Sequence, residues 1–598
     1  MRFNAKQLKL MSNTVRANAL RAVRSAMSGH IGIVLGASDV VTTIFANFLR
    51  RGRDRFVLSA GHGSALLYSV LKLSGYDIGD LESFRKIGGL PGHPEFGIDG
   101  VDATTGPLGQ GVGNAVGLAL AEKIKKSDGM IYCLCGDGDL MEGVAQESIA
   151  FAGIYKLNNL VLLWDDNKIS IDGTALTDID VPLRMKAAGW NVLSIDGDDF
   201  NAINRALSRS GTSRRPTFIQ CRTQIGRGSS VAGTARAHGL ALSSTELAHL
   251  IDLYSSDKGA QLWASVANDA VAKYVQHPLD VSLRNFVVPD APSEISTREL
   301  SGMYLETLIR SGVRLIGGSA DLSSSTNVRS SAHHDIMPGV FSGNFINYGV
   351  REHAMGAIMN GLTVAGLRPY GSTFLAFSDY MRPSIRLAAL SKLPVIYVFT
   401  HDSIAVGEDG PTHQPVEQLA SLRLIPNLNV FRPCNMAEVA YSWRSAIESV
   451  DAPSCIILSR QKIKQIPTPR SQVPNIARGG YIIRGARGRK VTATIIATGS
   501  EVPLAIDVAS KLGPSVQIAS FPNVAAFCAQ SAIYKRRILR GHLIAIEAAS
   551  PTPWFAIADI VFGIDEFGMS GPGNMVYSVR GFDADAIAAE IKHIIGGK

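Results

Sequence analysis

Short apolar runs alternate along this chain with longer stretches of mixed polarity. Eight of the apolar runs read as buried strands: 130–135, 160–164, 218–221, 315–317, 395–400, 454–458, 493–497 and 542–546. Helical patterns lie between them, as over 113–126 and 140–155. Strand and helix in alternation predict parallel α/β domains. Two polar stretches break the alternation. One runs from 243 to 290 and closes with VVPDAPSE; the other is QIPTPRSQVPN at 465–475. Cutting there predicts an α/β protein of three consecutive parallel-sheet domains, 1–285, 286–475 and 476–598, each linker counted with the domain before it.

Length supports this division, because 598 residues make three or four cores of ordinary size. With 46% hydrophobic and 18% charged residues the balance is globular. The net charge of +8 first suggests an anionic partner, but the basic residues are scattered. The densest runs, RRGRDR at 50–55 and YKRR at 534–537, lack interleaved aromatics and read as solvated surface, so no nucleic acid is expected. No long apolar h-region is read in MRFNAKQLKLMSNTVRANAL at 1–20, and no apolar run is read as reaching the ~18 residues of a membrane span. Six cysteines occur, and only Cys133 and Cys135 are close. A C-x-C inside an apolar run is no zinc pair, so these two read as buried small hydrophobes in a reducing, cytoplasmic setting.

The first chemical signal is CGDGDLMEG at 135–143 followed by DDNKISIDG at 165–173. Asp137 and Asn167 each follow a predicted strand and are one βαβ unit apart. A right-handed crossover brings both to one carboxyl edge, where α/β sheets bind ligands. Mg²⁺ wants oxygen ligands shared with substrate phosphates. Asp137 offers a carboxylate, Asn167 an amide oxygen and Ile169 a backbone carbonyl. Gly136 and Gly138 leave room for a diphosphate to approach the backbone. The pair resembles the diphosphate-binding signature of thiamine-diphosphate enzymes, whose cofactor supplies an ylide that attacks carbonyls. In that class a carboxylate shares a proton with the cofactor's pyrimidine. Glu352 in YGVREHAMGAI, 348–358, is the candidate, with Phe374, Phe377 and Tyr380 of STFLAFSDY, 372–380, to wall a flat ring.

Over nearly its whole length the chain resembles the transketolase family. The motifs are SGH at 28–30, LSAGHGS at 58–64, PGHPE at 91–95, GPLGQG at 106–111, the metal motif and TQIGRGS at 223–229 with His238. GGSADLSSST at 317–326, THDSIAVGEDGPTHQP at 400–415, LSRQ at 458–461 and ATGSE at 497–501 follow. The resemblance implies reversible transfer of a two-carbon ketol unit between sugar phosphates, through the thiamine diphosphate ylide and a dihydroxyethyl intermediate, in the non-oxidative pentose phosphate pathway. It implies thiamine diphosphate with Mg²⁺, which Ca²⁺ or Mn²⁺ can replace. By resemblance His62, Gly106, Gly138 and His238 meet the cofactor, Leu108 and Ile225 flank it, and Asp321 lies near it. His30 and His238 take the proton of the donor's C3 hydroxyl. His93 and His413 hold the C1 hydroxyl and the oxygen at C2, and Asp409 reads the acceptor's C2 hydroxyl. Arg298, Ser325, His401 and Arg460 read the phosphate. The resemblance further implies a homodimer with its sites at the subunit interface, and Glu142, read as lying on the helix after the metal loop, joins a carboxylate relay between them.

Departures from the family pattern are SGHIG for SGHPG, alanine in LSAGHGS, and curtailed segments near 49–53 and 126–130. The rival activities are those of 1-deoxyxylulose-5-phosphate synthase and dihydroxyacetone synthase. A catalytically silent paralogue is the rival from outside enzymes.

Overall fold

The computed structural model describes residues 2–174, 179–239, 242–268, 289–487 and 490–596. The expected boundary at 285/286 lies outside the described residues. The chain forms two compact units: 1–278 with 337–342 and 356–367, and 279–336 with 343–355 and 368–598.

The first unit holds a five-stranded sheet in the order 55–58, 131–135, 160–166, 217–222, 191–196. All four pairings are parallel. Strands this apolar are covered on both faces. On one face Tyr132, Leu134, Val161, Leu163, Ile219 and Cys221 join a core built with helices Ala5–Ala26, Ile31–Thr43 and Ser64–Leu73. Helix Gln110–Ile124 meets the later half of helix Glu352–Val364 through glycines. A Cβ on Gly117 would lie 2.1 Å from the Ile358 carbonyl oxygen, and one on Gly361 2.1 Å from that of Asn114. Only bare backbone permits that approach.

The second unit holds a seven-stranded parallel sheet in the order 335–336, 345–347, 317–319, 370–374, 396–400, 454–458, 429–431. It also holds a five-stranded sheet in the order 481–484, 516–520, 493–497, 542–546, 560–562, whose edge strand 481–484 is antiparallel. The period of two is plain here. Ile495 and Ala497 enter one core and Ile496 the other. The expected cut at 475/476 falls inside the short helix Arg470–Arg478, where Ile476 already packs into the C-terminal core.

Four expectations need correction. The strand expected at 315–317 is Gly317–Ser319. The helix expected over 140–155 is two, Asp137–Met141 and Gly143–Tyr155, with Glu142 extended at the break (φ −67°, ψ 137°) rather than on a helix. The helix expected over 113–126 is Gln110–Ile124. Finally, the helical stretch Ile31–Phe48 is long and apolar enough to cross a membrane. It is 89% buried, and Asp39 in its middle pairs with Arg16 at 2.8 Å, which marks a core helix. The basic run at 50–55 is matched by acids: Arg50 and Arg53 meet Asp54, Arg51 meets Asp99, and Arg55 meets Asp102. Cys133 and Cys135 are buried as expected, and Cys528 is exposed.

Candidate active site

Strands Arg55–Leu58, Ile131–Cys135, Leu160–Asp166 and Thr217–Arg222 all deliver their next residues to the same carboxyl edge of the first sheet. The register pairs Cys135 with Trp164, so Asp137 and Asn167 leave the sheet as neighbours. There they line a cavity of about 370 Å³ together with His30, His62, His93, Gly106, Leu108, Gly138, Ile169, Ile225 and His238. Every first-domain residue singled out from the sequence lines it, except Glu142, which is exposed at its helix break.

Asp137 is 4% exposed, and neither carboxylate oxygen has a hydrogen-bond partner. Burial, and then the charges of Asp166 and Asp165, push its carboxyl up to about 7. A buried carboxylate held this way lacks a cation. Asn167 donates through Nδ2 to Asp165 (2.9 Å), and its Oδ1 accepts from the Ile169 amide (3.0 Å). That oxygen keeps a second lone pair. Among the described residues no group of three His, Cys, Asp or Glu forms a metal cluster. The donor set here is one carboxylate, one amide and one carbonyl, as suits a hard cation that completes its shell from a diphosphate. At Gly138 a Cβ would lie 2.8 Å from Leu108 Cδ1, filling the cradle. These residues therefore fit a metal-bound diphosphate.

Asp139, which the sequence reading passed over, fastens this edge. It accepts from Ser59 Oγ (2.6 Å), the Gly109 amide (2.7 Å) and the Gly136 amide (2.9 Å), joining three loops. Its neighbour in the motif, Asp137, was the more visible residue.

Four histidines meet above the edge. Ring centroids lie 5.3 Å apart for His30–His62, 6.2 Å for His30–His93, 5.4 Å for His30–His238 and 5.0 Å for His62–His238. Burial, Arg85 and the neighbouring rings hold His30 down to about 4. Burial and three histidines hold His62 down to about 3. Burial, then Arg85, lowers His93, and burial lowers His238. Burial thus disfavours the charged form of all four rings. Arg85 also escaped the sequence reading, because a single arginine in a turn carries no motif. Its signal was position, a few residues before PGHPE.

In the second unit, Glu352 opens helix Glu352–Val364, where the positive end favours a carboxylate. It is 8% exposed and accepts from Thr373 Oγ1 at 3.0 Å. Arg351 does not pair with it but donates to the Tyr348 carbonyl. Phe374, at the end of strand Tyr370–Phe374, stacks on His401 with centroids 3.7 Å apart. Phe377 lies 5.8 Å from Phe374, 5.2 Å from His413 and 6.2 Å from Tyr380. Tyr380, 66% exposed, is the outer end of this wall.

His401 follows strand Ile396–Thr400 with φ +61°, a left-handed conformation uncommon for a side-chain-bearing residue. Burial, then Arg298 and Arg460, hold its imidazole down to about 3. Arg298 donates to the Ser325 carbonyl at 2.5 Å, and Arg460 acts on it as a like charge. Two guanidinium groups beside the His401 ring are donor types that suit a phosphate dianion. Asp321 and Asp409 are exposed, and their side chains make no hydrogen bond or ion pair with described residues; Asp321 too is left-handed, at φ +64°.

Residues 7–281 match the family described as "Transketolase, thiamine diphosphate binding domain". Residues 293–465 match "Transketolase, pyrimidine binding domain", and 479–583 match "Transketolase-like TK C-terminal domain". A transketolase of Sinorhizobium medicae is 40% identical over 98% of this chain and 93% of its own length. A crystal structure of transketolase from Campylobacter jejuni matches with TM-score 0.90 and 36% identity, covering 100% of both chains. The transketolase of Pichia stipitis in complex with sedoheptulose 7-phosphate matches with TM-score 0.87 and 36% identity, over 98% of this chain and 97% of that one.

Proposed function

This chain belongs to the transketolase family and is a thiamine-diphosphate-dependent ketol transferase; on that premise we propose how its residues divide the work. The substrates are ketose and aldose phosphates, and the reaction is reversible two-carbon transfer in the non-oxidative pentose phosphate pathway. The Pichia stipitis relative binds such a sugar phosphate. The observation that carries the reading is the buried, unpartnered Asp137 carboxylate beside Asn167, in one cavity with four histidines.

Asp137, Asn167 and the Ile169 carbonyl would hold Mg²⁺, or Ca²⁺ or Mn²⁺ in its place, against the diphosphate. His62, Gly106, Gly138 and His238 would line that diphosphate, with Leu108 and Ile225 flanking the cofactor and Asp321 near it. When bound, thiamine diphosphate supplies a carbon nucleophile for the ketose carbonyl. Glu352 keeps a proton at the pyrimidine ring, and Phe374, Phe377 and Tyr380 exclude water from it. His93 and His413 orient the C1 hydroxyl and the oxygen at C2. His30 and His238 serve the C3 hydroxyl, Asp409 the acceptor's C2 hydroxyl. Arg298, Ser325, His401 and Arg460 bind the terminal phosphate; two guanidinium groups that both act on the His401 ring support this.

We further propose a cytoplasmic homodimer with two shared sites and Glu142 in a relay between them. Asp137 and Glu352 fall in different compact units, as a divided site requires. All six cysteines are free, in keeping with a reducing compartment. We also propose three domains, 1–285, 286–475 and 476–598. A donor–acceptor panel tests the activity. Xylulose 5-phosphate with ribose 5-phosphate should turn over well; preference for pyruvate as donor, or for formaldehyde as acceptor, would replace this reading by one of the two rival activities.

A further inference from the structure

Arg85 stands at the entrance of a turn closed by its own amide to the Leu90 carbonyl (2.7 Å), in the left-handed conformation (φ +57°). Its guanidinium is built into place. Nη1 donates to Ser28 Oγ at 2.6 Å, and Nη2 lies 3.2 Å from His30 Nδ1. Gly92 of PGHPE makes room for it, since a Cβ there would meet Arg85 Nε at 3.2 Å. Guanidinium carries only donors. The His30 nitrogen that faces it must therefore present a lone pair, and a flipped ring would set a C–H against the cation. Neutral His30 then carries its single proton on Nε2.

We infer that Arg85 locks His30 as a hydrogen-bond donor in the cavity and so leaves His238 as the base for the substrate's C3 hydroxyl. The inference rests on the proposed ketol transfer, in which both histidines serve that hydroxyl, and it separates their roles. The His238 ring makes no hydrogen bond to any described residue, so one of its nitrogens is open to accept. As C2–C3 breaks, the O–H proton passes to His238 and the O–H electron pair becomes the new C=O. The C2–C3 pair stays with the two-carbon fragment. His30 Nε2–H donates to the same oxygen and never takes the proton. Arg85, His62, His93 and His238 are the groups facing His30. Burial and the Arg85 charge both disfavour His30 protonation, while burial alone acts on His238.

The test uses the full-length holoenzyme. His30→Gln keeps a side-chain N–H donor, so kcat should fall by about tenfold or less. His238→Gln removes the base, and kcat should fall by about 10²–10⁴-fold. Arg85→Met frees Nδ1, so nitrogen-15 NMR should find the His30 proton shared between Nδ1 and Nε2, and Arg85→Lys should restore the Nε2–H form. Equal losses in the two histidine variants, or a His30 ring that keeps only the Nε2–H form in Arg85→Met, overturn the inference. Neutron diffraction of the wild type reads the tautomer without turnover: a bare Nδ1 on His30 supports the lock and a proton there refutes it. Failure of the wild type to transfer ketol units would count against the proposed function alone and leave the tautomer result standing.

Discussion

Glu352 and Asp137 show two ways in which a carboxylate is prepared for a partner. Glu352 sits at a helix start with one hydroxyl donor, Thr373, and an aromatic wall in the same unit. Glu352→Gln should lower kcat by at least about 10²-fold, the usual worth of a positioned acid or base; near-normal turnover in a folded variant would remove it from the mechanism. Asp137 sits buried with both oxygens bare. Asp137→Ala should weaken divalent metal and thiamine diphosphate together in calorimetric titrations, because the metal bridges the two; cofactor affinity that stays the same with and without metal would contradict this. Arg460→Ala should raise KM for sugar phosphates by about tenfold to a hundredfold, matching a charge-assisted hydrogen bond of about 1.5–3 kcal/mol. KM for hydroxypyruvate, which has no phosphate, should stay near its original value. Equal changes for both donors would make Arg460 a structural residue.

At the scale of elements, the strands at 454–458, 493–497 and 542–546 were legible from the sequence because these apolar runs of five residues are too short for a helix of ordinary length. Gly317–Ser319 was placed two residues early for a physical reason. Its glycines contribute no apolar signal, since Tyr370 and Tyr348 fill the space their side chains would take. The break at Glu142 was invisible because apolar periodicity runs on through Leu140 and Val144 while the backbone turns. The histidines and Asp137 were legible because each lies in a motif, whereas Asp139 and Arg85 act through loops that only folding brings together. Helix Gln110–Ile124 gives a prediction at this scale. Gly117→Ala gains helix propensity but drives a Cβ against the Ile358 carbonyl, so thermal unfolding should show a net loss of about 1–3 kcal/mol. Gly211→Ala, whose Cβ would meet only the Ser208 oxygen at 3.6 Å, is the control and should not destabilise. Unchanged stability in Gly117→Ala would mean the helix contact is looser than drawn.

At the scale of the whole molecule, the proposed site residues of one chain fall into two groups, one in each compact unit. The metal edge and four histidines belong to the first compact unit; Glu352, the aromatic wall and the arginine pair belong to the second. In a homodimer that shares its sites, a twofold axis would complete two identical centres. The most direct measurement is complementation between two inactive variants. Asp137→Ala and Glu352→Ala proteins are mixed under conditions that exchange subunits, and ketol transfer is assayed with xylulose 5-phosphate and ribose 5-phosphate. A heterodimer with shared sites carries one doubly damaged centre and one intact centre, so activity should return as exchange proceeds. If mass spectrometry shows that heterodimers have formed and the mixture stays inactive, the two half-sites come from the same subunit and the shared-site account is wrong.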